Sequence, residues 1–249
     1  MRMNRSYRFA LIGLSVLLLV AAVTATGVFT ATAGREPVEI QFLTISDWHA
    51  QLDPLFVFGE GTFGGAAELS AYWMADRMTN PNTLTLTAGD AYGASPPLSS
   101  FFDEEPAVLA MNLMGFDVDT FGNHNFDRGI AHLQQMIDLA AAAPEGGQPF
   151  VYVSANLKNL EVNLTGVQRF KIFDVGGVQV AVIGITNPEA PTLVFPGSFD
   201  TIEVTDPIPA ANKARAAARR AGAKVFVAIT HLGVTGFDPG TGAPMGSAH

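Results

Sequence analysis

With 249 residues, 48% of them hydrophobic, the chain has enough apolar material to bury a core and is not a disordered tract. Its net charge of -9 argues against a basic face that binds nucleic-acid polymers, and the absence of cysteine excludes disulfides and thiolate metal ligands. Any metal must then be held by His, Asp, Glu or Asn.

The chain opens with Arg2, Arg5 and Arg8, an apolar run FALIGLSVLLLVAAV, and a small-residue segment ending Ala31-Thr32-Ala33. That order is a secretory leader, with cleavage expected between Ala33 and Gly34. The competing reading is an uncleaved anchor, because apolar character persists as far as Phe29. Losing residues 1–33 removes three arginines and no acid, so the remainder, 34–249, is more acidic still.

From Glu39 onward, short β-rich runs alternate with helical patterns, which argues for an α/β layered fold. The β-rich runs are IQFLTI, TLTLTA, VDTF, FVYVSA, FKIFDV, VQVAVIGI and KVFVAI. Between the first two, AAELSAYWMADRM has helical spacing at Leu69, Tyr72, Trp73 and Asp76. DEEPAVLAMNLMG offers Asp103 as a cap and Gly115 as a stop. GIAHLQQMIDLAAAA places Ile130, Leu133, Ile137 and Ala140 on one face. DPIPAANKARAAARRAG starts at Asp206 and Pro207 and closes at Gly222, with Lys213, Arg215, Arg219 and Arg220 as a solvated face. FKIFDVGGVQVAVIGI reads as a hairpin turning at Asp174 to Gly177.

Groups able to bind metal recur where β-rich runs end: Asp47 and His49 after IQFLTIS, Asp90 after TLTLTAG, Asn123 and His124 after VDTFG, His231 after KVFVAIT. Ligands of α/β sheets bind beyond the carboxyl ends of strands, so these residues are expected to converge on one site. On an extended segment Asp47 and His49, two apart, point to the same side. Mixed oxygen and nitrogen donors without sulfur suit Zn, Mn, Fe or Co better than calcium. Each residue alone has a plain alternative as a turn residue or cap, Asp127 above all, since it precedes a helix. His132 and His249 stay with that plain reading, and Asn156 is a strand-end cap or a weak cleft-lining candidate.

These blocks, DWH at 47–49, GD at 89–90, GNHNFD at 122–127 and THLG at 230–233, resemble in order the motifs of calcineurin-like metallophosphoesterases. Within them they are similar to the exported 5′-nucleotidase and 2′,3′-cyclic phosphodiesterase family, over nearly all of residues 39–233. The resemblance implies a layered β-sandwich core flanked by helices and two divalent metal ions. Asp47 and His49 would bind one metal, Asp90 would bridge, and Asn123 and His231 would bind the second. Asn123 and His124 would contact the substrate, with His124 and Asp127 as the catalytic pair, while an activated hydroxide attacks phosphorus in line. The implied substrate is a small phosphoester, a nucleotide, met in an exported compartment and away from the membrane.

The family commonly has Glu where this chain has Asn125, and often an arginine after a Gly-Gly pair where this chain reads GGAAEL from Gly64. The family also needs one more His-bearing, Gly-rich motif beyond THLG and a C-terminal nucleoside-binding domain, so the resemblance implies a C-terminally incomplete version of that architecture. Two alternatives stay open: a non-catalytic fragment binding at most one metal, and a related two-metal hydrolase of a sulfur-containing substrate.

Overall fold

The computed structural model describes residues 36–233 and 236–246; the expected leader and His249 lie outside the described residues. In the first half, strands β1 (Gln41–Ile45), β2 (Leu55–Val57), β3 (Gly61–Phe63), β4 (Thr83–Thr87), β5 (Val118–Asp119) and β6 (Val151–Tyr152) alternate with helices. The helices are α1 (Ala66–Thr79), α2 (Pro97–Ser100), α3 (Glu105–Met114) and α4 (Gly129–Ala142). Strands β1, β4, β5 and β6 form a parallel sheet in that order. Parallel neighbours need long crossovers, and α1, α3 and α4 supply them.

The second half contributes β7 (Leu157–Lys158), α5 (Leu160–Asn163), β8 (Phe170–Val175), β9 (Val178–Ile185), β10 (Glu203–Val204), α6 (Pro207–Arg220), β11 (Val225–Thr230), β12 (Gly236–Phe237) and β13 (Pro244–Met245). Its main sheet runs β11, β9, β8, with β8 and β9 joined as the expected hairpin. Gly176 and Gly177 both take positive φ, which a two-residue hairpin turn needs, and Asp174 accepts the Gly177 N–H at 2.8 Å.

Alternation along β4 explains the layering. Leu84 and Leu86 point into a core shared with Val118, Val153, Val180, Val182 and Ile229, so the two sheets face each other. Thr85 points the other way, towards helices whose Trp73, Val108, Met111 and Leu133 pack with Phe116 and Phe150. Beyond the second sheet, Ala214 and Ala218 of α6 cover Ala181, Ile183 and Ile185. The layers run helix, sheet, sheet, helix, as the fold class requires. Among the described residues no helix is long and apolar enough to cross a membrane.

Three local expectations are met and one is not. Asp206 caps α6 by accepting the Ile208 N–H at 2.9 Å, α3 stops at left-handed Gly115, and the basic residues of α6 are exposed. Asp103, however, does not cap α3. Glu104 occupies that position with φ 64 and no side-chain cap, while Asp103 pairs with Arg128 instead. The C-terminal end of α3 is held from outside: Arg77 donates to the carbonyls of Met114 and Gly115 and to Thr85 Oγ1.

Candidate metal centre

Strand register brings the site loops together. Ile45 pairs with Thr87 and Ile185 with Thr230, so β1, β4, β9 and β11 all end at one rim. Pairing continues into the loops through Asp47 N–H to Gly89 O, 3.3 Å, His49 N–H to Asp90 O, 3.0 Å, and Ala50 N–H to Ala91 O, 2.8 Å. Asp47 and His49 do not sit on an extended segment, as the spacing predicts. Both take left-handed backbone, φ 52 and 49, and so does Asp90 at φ 50. It is this coiled turn, not the pleat of a strand, that aims them together. Sparsely populated backbone of this kind concentrates at functional sites, where surrounding contacts hold it in place.

Ligand atoms of Asp47, His49 and Asp90 lie within 4.8 Å of one another. Asp90 is 2% exposed and divides its carboxylate: Oδ1 accepts the His124 N–H at 2.9 Å, and Oδ2 is 3.2 Å from His231 Nε2. Separation of about 3 Å is what two donor atoms sharing one cation adopt, given metal–ligand bonds of about 2.0–2.2 Å. Asn123 joins Asp47 and His231 on the wall of a cavity of about 290 Å³.

The two imidazoles fit a metal by their second nitrogens. His49 Nδ1 is 2.7 Å from the Gly93 carbonyl and His231 Nδ1 is 2.9 Å from the Ala88 carbonyl. A carbonyl can only accept, so each Nδ1 carries a proton and each Nε2 is left for a metal; in His231 it is Nε2 that meets the Asp90 carboxylate. Burial works against charging His231, but its hydrogen bond to Asp90 and the charges of Asp90 and Asp47 outweigh that and raise its pKa. A site that attracts a proton this way also attracts a cation.

His124 stands beside the cluster, its ring edge-to-face with His49 at 5.3 Å between centroids. Its Nδ1 is 2.8 Å from Asp127 Oδ2, so Asp127 orients His124 and does not cap α4, whose preceding residue is Arg128. His124 also lines a second cavity, about 190 Å³, together with Tyr92, Glu104, Asp127, Arg128 and His132. His132 contacts the Asp103 carbonyl from α4, in keeping with its plain reading.

The floor is built from residues that the spacing alone does not single out. Gly122 is squeezed: a Cβ there would lie 2.2 Å from Asp90 Oδ1. Asp119 Oδ1 accepts the N–H groups of Gly89 and Thr120, at 3.0 and 2.7 Å, and this ends β5 just before the site loop. Complete burial pushes the Asp119 carboxyl up to about 8, against the opposing pull of those two donors. Asn156 does not line the cleft. Its buried amide bonds the backbone of Thr186 and the Thr205 carbonyl, tying the β6–β7 region to the second sheet.

No family model matches the chain. Endonuclease YhcR of Bacillus subtilis is 33% identical over 213 residues, covering 81% of this chain and 17% of that protein. A snake venom 5′-nucleotidase of Gloydius brevicauda is 30% identical over 227 residues, covering 88% and 37% respectively. The crystal structure of a 5′-nucleotidase precursor from Thermus thermophilus superposes with a TM-score of 0.62 at 28% identity, covering 77% of this chain and 37% of that one. Calcineurin-like phosphoesterase YfkN of Bacillus subtilis, 24% identical and with a TM-score of 0.62, shares the fold. Two facing sheets, with Asp47, His49, Asp90 and His231 at their common rim, are the fold that this chain shares with calcineurin-like phosphoesterase YfkN. Its homologues include 5′-nucleotidases, matched over most of this chain. It spans less than half the length of each of these curated relatives.

Proposed function

We propose that the chain carries the metal centre of an exported phosphoester hydrolase acting on nucleotides. The observation that carries this reading is the meeting of Asp47, His49, Asp90 and His231 at one rim, with both imidazole Nδ1 atoms already committed to main-chain carbonyls. Asp47, His49 and Asp90 would hold one divalent cation, and Asp90, Asn123 and His231 a second. Bound there, such ions would supply Lewis acidity to a phosphoryl oxygen and lower the pKa of water.

The remaining work falls to the chain. The Asn123 amide faces the same cavity as Asp47 and His231 and would orient a phosphoryl oxygen. His124, with Nδ1 held by Asp127, would act as an imidazolium: Nε2 would donate its proton to the leaving oxygen as that bond to phosphorus breaks, and would take one back from solvent afterwards. A water oxygen forms the new bond to phosphorus and releases its proton to solvent, so the hydrolysis balances. The leader-like start and the relatives named as a snake venom enzyme and a cell wall protein support export.

Phosphate release from a nucleoside 5′-monophosphate and ring opening of a 2′,3′-cyclic nucleotide, each with and without EDTA, test the reading. Asp90→Ala must abolish both; full activity in that variant refutes the assignment. Single-stranded DNA belongs in the same assay, because the relative from Bacillus subtilis is named an endonuclease.

A second reading, that this chain holds one ion and does not turn over, is favoured by one observation: among the described residues, the His and carboxylate donor atoms that all lie within 4.8 Å of one another are those of Asp47, His49 and Asp90, while His231 reaches the group through Asp90. A bound-metal ratio near one with no hydrolysis would establish it.

A further inference from the structure

We infer that Asn125 is a positioning residue for the centre, fixing the loop that carries Asp90 against the loop that carries Asn123 and His124. The inference rests on the function proposed above and adds to it a residue that touches neither metal nor substrate.

Asn125 is 1% exposed, within the short turn His124–Phe126. Its Oδ1 accepts two main-chain N–H groups from different loops, that of Asp90 at 3.3 Å and that of Gly122 at 2.8 Å. The exchange is mutual, because Asp90 Oδ1 accepts the His124 N–H at 2.9 Å. Each loop thus gives a backbone donor to a side chain of the other, and the pair forms a closed clamp around the carboxylate that both metals would share. The approach is close enough that a Cβ on Gly89 would fall 2.5 Å from the Gly122 nitrogen. Beneath the clamp, the Asn125 amide faces the fully buried phenol of Tyr92.

An alternative acceptor for these donors would have to be water, which burial keeps out, so removing Oδ1 leaves two N–H groups unpaired and frees the loops to part. Donor atoms of a metal site tolerate displacements of only about 0.2 Å. The clamp therefore acts on metal affinity and on the placing of His124, and not on how tightly substrate is recognised.

The test uses the full chain and Mn²⁺ as the probe, with titration calorimetry read independently of turnover. Asn125→Leu keeps the volume and removes the acceptor; Asn125→Asp keeps an acceptor oxygen for both N–H groups. Asn125→Leu is expected to weaken Mn²⁺ binding at least about 10-fold, the loss typical when a group supporting a ligand is removed, and to lower kcat with KM little changed. Asn125→Asp is expected to restore both. If Asn125→Leu melts earlier yet binds Mn²⁺ and turns over like the wild type, the role is merely structural and the inference fails. If Asn125→Leu does not fold, Asn125→Asp decides, because loss of Mn²⁺ affinity with the acceptor intact overturns it. A wild-type chain that binds Mn²⁺ but hydrolyses no phosphoester would sink the proposed function and leave the positioning role to the calorimetry.

Discussion

Substituting Gly122 by alanine probes the centre with one added carbon. Gly122 does not take a positive φ, so alanine fits its backbone, and any effect comes from space alone. The new Cβ would meet Asp90 Oδ1 at 2.2 Å, Asp90 Cγ at 2.5 Å and His231 Cε1 at 2.8 Å. Ordinary contact begins about 1 Å further out, and main chain on both sides limits retreat by the loop. Overpacking of this kind costs about 1–3 kcal/mol, and about 2–4 °C in Tm accompanies each kcal/mol in a domain of this size. The effect on metal is larger than that on stability. A shift of about 1 Å in Asp90 and His231 exceeds the roughly 0.2 Å that coordination tolerates, so Mn²⁺ affinity should fall at least about 10- to 100-fold. Calorimetric titration of wild type and variant, with melting curves in EDTA to isolate the packing cost, measures both effects. Binding by Gly122→Ala within twofold of wild type would refute the placement of Asp90 and His231 as partners at one centre.

Removing the Asp127 carboxylate releases His124 Nδ1. Asp127→Ala should lower kcat by about 100-fold, the low end of acid–base contributions, while Mn²⁺ affinity stays at the wild-type value; an unchanged kcat rejects the catalytic pair. Arg77→Ala strips donors from the α3 terminus and Thr85, and should cost about 2 kcal/mol in urea unfolding, since hydrogen bonds from charged groups are worth roughly 1.5–3. A cost below about 0.5 kcal/mol, the usual scatter for surface changes, would show those contacts to be incidental. For Asp119 the sign follows from burial, which raises the folded pKa to about 8 while the unfolded carboxyl ionises near 3.8. Between those values the unfolded chain binds fewer protons, so the carboxyl makes stability fall as pH rises, by up to about 1.4 kcal/mol per unit. Asp119→Asn keeps an acceptor for Gly89 and Thr120 and should flatten that slope between pH 5 and 8; an unaltered slope assigns it to other groups.

The sequence made the convergence of strand ends legible because residue types able to bind metal stand at the end of each relevant β-rich run, and register then brings those ends to one rim. What it hid is local geometry set by distant partners. The left-handed turn at Asp47 and His49 depends on pairing with Gly89, Asp90 and Ala91, some forty residues on, and nothing in DWH announces it. Asp103 looks like a cap until Arg128, brought near by folding, offers it a charge. The carbonyls of Ala88 and Gly93 that fix both imidazoles carry no side-chain signature at all. Asn125 stood inside the motif, yet its role is visible only once Asp90 and Gly122 are seen to share its oxygen.

The most direct measurement is anomalous diffraction from crystals of the chain soaked in Mn²⁺. Peaks bounded by Asp47, His49 and Asp90, and by Asp90, Asn123 and His231, with the Asp90 carboxylate common to both, are the expected result. Mn²⁺ bound elsewhere, or a peak from which Asp90 is absent, would contradict the account.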